Sequence, residues 1–160
     1  MKKKISIWIA TAFGAGLVPF APGTAGSLVG LPIVYFTASW NLMPRVALYV
    51  ALTIIGSWAA KVFDDFQGSK DNQHIVIDEV IGQGIAGWSV GTSFIGLLVA
   101  FIFFRVFDIF KFPPVRQLDR WSKHQSGAWA GFGVIADDIL AGFQGLIVVL
   151  VLQHFHVLPN

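Results

Sequence analysis

Six of the nine carboxylates in this 160-residue chain lie in or beside runs that are otherwise apolar enough to form membrane helix. They are Asp78 and Glu79 in IVIDEVIG, Asp108 in FRVFDIF, Asp119 in QLDR, and Asp137 with Asp138 in GVIADDILAG. An ionised carboxylate near a bilayer centre costs about 2.5 kcal/mol or more even on lenient insertion scales, so such residues face a bundle interior or a polar cavity. The fold must therefore enclose a polar site. Hydrophobic residues make up 55% of the chain and charged residues 12%, with a mean hydropathy of +0.69. That balance predicts a single, small, polytopic membrane domain over residues 1–160.

Composition also removes several function classes. The formal charge of +2 is small and the basic residues are scattered, which argues against a nucleic-acid surface. Cysteine is absent, so disulfides, cysteine-ligated zinc and a cysteine nucleophile are excluded. The start MKKKISIWIATAFGAGL has a basic and then an apolar stretch, as a secretory signal does. Its small-residue pattern Ala10-Thr11-Ala12 follows too few apolar residues to complete a signal, so retention is expected.

Apolar segments run at about 27–41, 46–63, 75–89, 94–110 and 133–153, predicting an all-α bundle of about five helices. A span needs about 20 residues, so 133–153 fits well, while 27–41 and 75–89 suggest tilt, thinning or partial spanning. Lys2, Lys3 and Lys4 favour a cytoplasmic N-terminus, and Lys111, Arg116, Arg120 and Lys123 favour a cytoplasmic loop over 111–132. Both hold together if residues 5–18 form an interfacial or re-entrant segment and 75–110 makes a hairpin turning near Gly91-Thr92. All six acids then reach one cytoplasmic level. The stretch PFAPGTAGS (19–27) reaches the same face, with prolines and glycines expected to break helix there or to make a plain turn.

Hard cations such as Mg²⁺ take carboxylate oxygens, water and substrate phosphate. Asp78, Asp137 and Asp138 are the leading ligand candidates because they come from two segments in opposed or crossing orientation. Adjacent helical residues diverge by about 100°, so Asp137 and Asp138 cannot both aim straight at one ion, and the same holds for Asp78 and Glu79. The alternative for each pair is compensation of a helix N-terminus. Arg105, Asp108 and Lys111 fall at successive i, i+3 positions. That stripe is either an internal salt-bridge ladder or a phosphate grip beside Asp108, with Arg as a planar fork and Lys as a point charge. The tryptophans and tyrosines mostly flank apolar runs as interfacial anchors do, and glycines 82, 84, 87, 142 and 145 predict close helix contacts.

The motifs APGTAGS (21–27), IVIDEVIG (75–82), FRVFDIFKFPPVRQLDR (104–120) and GVIADDILAG (133–142), in this order, resemble those of the phosphatidylglycerophosphatase A family across nearly the whole chain. This chain departs from the family pattern at Lys111-Phe112-Pro113-Pro114, where the family has Lys-Pro-x-Pro. The resemblance implies a Mg²⁺-dependent phosphatase of the bacterial inner membrane, multi-pass, with a cytoplasmic site that converts phosphatidylglycerophosphate to phosphatidylglycerol. On that reading Asp78, Asp137 and Asp138 bind Mg²⁺, with Glu79 or Asp108 as a further ligand or general base. Arg105, Lys111, Arg116 and Thr24, with the backbone of 23–27, hold the phosphate. Water is the expected nucleophile, and an aspartyl-phosphate stays open. The rival class is a small transporter or ion-conducting subunit that relays protons through the same acids.

Overall fold

The computed structural model describes residues 2–69 and 72–158. Among them are seven α-helices and no strand. These are α1 (Lys2–Ala10), α2 (Pro22–Thr37), α3 (Leu42–Gln67), α4 (Ile77–Ala86), α5 (Phe94–Phe110), α6 (Val115–Ser122) and α7 (Ala128–His154), with a 3₁₀ turn at Ala15–Leu17. The all-α reading holds, but the count of five is corrected to seven. The two additions, α1 and α6, have 9 and 8 residues and carry their charges inside the helix. A search for span-length apolar runs passes over both. The expected loop over 111–132 is accordingly interrupted by α6, and α7 begins at Ala128.

Local chemistry sets the ends. Pro22 opens α2, where its missing N–H costs nothing, so the 19–27 stretch becomes a helix start and is not irregular throughout. Ser93 caps α5 by accepting from the Gly96 N–H, and Gly68, at φ 64, closes α3 in the left-handed conformation. The α4–α5 turn runs through Gly91, also at positive φ, as the hairpin expectation required.

Among the described residues, helices α3 and α7 are the two that are long and apolar enough to cross a membrane. Their outward faces carry exposed side chains such as Ile54, Ile55, Phe143 and Ile147. Exposed apolar surface on this scale, around an interior that holds carboxylates, suits lipid and not water. Helix α4 is the reverse: at 10 residues it is about 15 Å long, and all but Glu79 are buried. It is a short central peg, packed against α2, α3, α5 and α7.

The N-terminal segment is tied to the peg. The Val76 N–H donates to Ala10 O at 2.8 Å, and His74 Nδ1 donates to Gly16 O at 2.8 Å. Where α4 crosses α7, backbone meets backbone: a Cβ on Gly142 would fall 2.5 Å from Gly82 O, and one on Gly82 would fall 2.6 Å from Asp138 O. The glycine expectation is met at this crossing, which also fixes the depth of Asp138. Gly142→Val should force the two helices apart and cost about 1–3 kcal/mol. A thermal-unfolding midpoint in detergent equal to that of the native chain would contradict this packing.

Candidate active site

The first turn of α4 carries Asp78 and Glu79, where unpaired N–H groups and the helix dipole favour anions. The Glu79 N–H donates to Asp78 Oδ1 at 3.1 Å. Asp138 approaches from α7. One oxygen from each of Asp78, Glu79 and Asp138 lies within 4.8 Å of the other two. Asp108 of α5 is within electrostatic reach of both Glu79 and Asp138.

The adjacent acids of α7 part company, as helical geometry demands. Asp138 joins this cluster, while Asp137 Oδ2 accepts from Lys111 Nζ at 2.8 Å. Lys111 closes α5 in the left-handed conformation at φ 47, which swings its side chain towards α6 and α7. It pairs there with Asp119 as well, and Lys123 donates to the second oxygen of Asp119 at 2.8 Å. The Arg105–Asp108–Lys111 stripe is therefore not a continuous ladder. Arg105 Nη1 binds Asp108 Oδ2 at 2.5 Å and stands 3.9 Å from Glu79 Oε1, while Lys111 serves the other group.

The clamp on Asp119 shifts both partners. Burial alone would lower Lys111, but its bonds to Asp119 and Asp137 outweigh this and hold it above its ordinary value. Burial would likewise raise Asp119, yet Lys111 and Lys123 hold it below the usual carboxylate range. The role of Lys123 was legible as an i, i+4 spacing from Asp119, although the sequence reading treated this stretch as loop.

Thr24 and the 23–27 backbone lie in the first turn of α2, beside the cluster. The Thr24 and Ala25 N–H groups donate to Ala21 O and are thus already engaged. Gly23 makes the closest approach: a Cβ there would fall 2.1 Å from Glu79 Oε1 and 3.1 Å from Arg105 Nη1. The sequence reading missed this steric role, which no pattern within the chain reveals. Arg116 lies exposed on α6 and takes part in none of the ion pairs seen among the described residues.

These donors suit a hard cation. They are all carboxylate oxygens from two helices, and Glu79 Oε2 is buried with no hydrogen-bond partner among the described residues. A cavity of about 570 Å³ opens between the end of α3 and the α6–α7 connection. Lys61, Asp65, Ser122 and Lys123 line it together with Val134, one helical turn before Asp138.

The family model described as Phosphatidylglycerophosphatase A matches residues 8–153. A Bacteroides thetaiotaomicron protein, provisionally named a phosphatidylinositol-3-phosphatase, is 35% identical over 155 residues, covering 92% of each chain. A Haemophilus influenzae protein named Phosphatidylglycerophosphatase A is 33% identical over 96% of this chain and 94% of its own length. An Escherichia coli protein of the same name is 33% identical over 91% of this chain and 82% of its own. No solved structure matches at comparable stringency.

Two outcomes follow from the geometry. Gly23→Ala should push the Glu79 carboxylate out of the cluster and weaken Mn²⁺ binding about tenfold, read by electron paramagnetic resonance titration; unchanged affinity would mean that α2 does not position Glu79. Because Asp119 is lowered in the fold, its stabilisation is present above its ordinary value near pH 3.9 and is lost as pH falls through the folded value. The melting difference between the native chain and Asp119→Asn should thus be flat from about pH 5 to 9 and shrink only in acid.

Proposed function

Because the chain belongs to the phosphatidylglycerophosphatase A family and is thus a phosphoric monoester hydrolase, we propose that it removes the terminal phosphate of phosphatidylglycerophosphate in a Mg²⁺-dependent reaction. The observation that carries this reading is the convergence of Asp78, Glu79 and Asp138 beside Arg105. Carboxylates alone would repel a phosphate, so the cluster makes chemical sense around a cation, with a guanidinium at its edge. Membership in an enzyme family also removes the rival transporter reading.

In this mechanism Asp78, Glu79 and Asp138 hold Mg²⁺, which supplies Lewis-acid polarisation of the phosphoryl oxygens. Arg105 offers N–H donors to the same oxygens as charge builds on them. Asp108 holds the Arg105 fork in place through its 2.5 Å bond and is a further candidate base for an attacking water. Asp137 does not ligate in this scheme. It sets Lys111, and Lys111 with the exposed Arg116 draws the anionic headgroup towards the centre. The 570 Å³ cavity above Val134 is the water-side entrance, through which orthophosphate leaves.

We propose further that the protein is a multi-pass protein of the bacterial inner membrane, with this centre on the cytoplasmic side. Lys2, Lys3 and Lys4 support that orientation. They sit at the α3 end nearest the acids, where Lys3 Nζ lies 3.1 Å from the centre of the Phe66 ring.

The headgroup admits a second reading, since the Bacteroides relative carries a phosphoinositide name. Phosphate release from phosphatidylglycerophosphate and from phosphatidylinositol 3-phosphate, each with Mg²⁺ and with EDTA, separates the two. The expected result is a Mg²⁺-dependent rate at least about tenfold higher on the glycerol substrate. Asp138→Asn should lower kcat by about 10²–10³-fold and Asp137→Asn by less. Equal losses, or full activity in EDTA, would overturn the assigned roles.

A further inference from the structure

Arg45 is a buried cation at the end of α3 remote from the carboxylate centre. It sits in the first turn of α3, about 28 Å along that helix from Asp64. It is only 6% exposed, takes part in none of the ion pairs seen among the described residues, and has no hydrogen-bond partner there for Nε or Nη2. Its guanidinium lies 4.3 Å over the Trp88 ring. The Tyr49 hydroxyl, also buried, lies beside it between Thr37 and Arg45 and offers a neutral partner but no counter-charge. Stacking on Trp88 stabilises the cation but does not replace hydrogen bonds to two of its nitrogens.

Beside this group an apolar groove of about 400 Å³ runs between α3, α4 and α7. Val46, Tyr49, Val50, Trp88, Phe143 and Leu146 line it, so Arg45 shares its two aromatic neighbours with the groove. Val50 and Phe143 are about half exposed, so the groove opens sideways from the bundle. The volume lies within the range of small-ligand sites.

We propose that a glycerophospholipid from the leaflet opposite the carboxylate centre binds here, its phosphate on Arg45 and one acyl chain in the groove. This rests on the membrane reading above but not on the phosphatase chemistry. Charge complementarity selects the occupant. The cation lacks an internal counter-ion, a phosphodiester supplies one together with several acceptor oxygens, and an apolar channel begins one residue away at Val46. A free oxyanion would meet the charge but leave the groove unused. An uncharged hydrocarbon would do the opposite. The bound lipid locks the start of α3 against the end of α4 through Trp88.

The test uses the full chain with Trp8, Trp40, Trp58, Trp121 and Trp129 changed to Phe, so that Trp88 is the sole fluorophore. In detergent micelles it is titrated with phosphatidylglycerol bearing brominated acyl chains. Saturable quenching is expected, with orthophosphate unable to displace it and a brominated fatty alcohol giving only shallow, unsaturated quenching. Arg45→Gln should raise the half-saturation about tenfold and Arg45→Lys by less. Val50→Phe, at a half-exposed position, fills the groove with Arg45 intact and should abolish saturation, which keeps the test decisive if Arg45→Gln does not fold. Equal quenching by alcohol and phospholipid, displacement by orthophosphate, or an unchanged half-saturation in folded Arg45→Gln would each overturn the proposal.

Discussion

Holding the carboxylates of Asp78, Glu79 and Asp138 within one another's reach opposes three like charges in a largely buried setting, where water screens them poorly. Much of the rest of the molecule can be understood as accommodating that arrangement. The first turn of α4 turns its N–H groups towards two of the acids, and Arg105 stands at the edge with its own counter-ion, Asp108. Among the described residues these groups do not balance the three acids, and Glu79 Oε2, buried with no hydrogen-bond partner there, marks where the cluster is least satisfied.

That concentration of charge requires close packing nearby. Helix α4 is too short to span anything, and its stability comes from burial on nearly every side. The crossing of Gly82 and Gly142 allows α7 to lie against it backbone to backbone, and Asp138 is carried to the depth of α4's first turns by that contact. Gly23 performs the same service from α2. The site thus depends on absent side chains as much as on present ones: a methyl group at any of these positions collides with a carboxylate or with the backbone that carries one.

The helical class, the α4–α5 hairpin and the gathering of acids at one end were legible because apolar periodicity and intramembrane cost are local, strong signals. Helices α1 and α6 were not, since each is short and polar enough that only packing decides its state. Asp119 is the instructive residue. In sequence it sits after two prolines in a basic stretch and reads as loop, yet it is buried because Lys111 and Lys123 converge on it from two helices. Gly23 reads from its motif as a source of backbone donors, whereas its clearance from Glu79 follows only from how α2 meets α4.

The parting of Asp137 and Asp138 links these strands. Two neighbouring acids on a helix differ by about 100°, so a bundle that aims one at a cation must give the other a separate partner. Here that partner is Lys111, placed by the left-handed close of α5, and the same lysine holds Asp119. A single turn of α7 therefore joins two electrostatic systems: an acidic one at Asp78, Glu79 and Asp138, and a balanced one that clamps α5, α6 and α7 together. Loss of charge at Asp138 alters the first and loss at Asp137 loosens the second. The adjacent aspartates are thus not equivalent, although in sequence nothing separates them except their order.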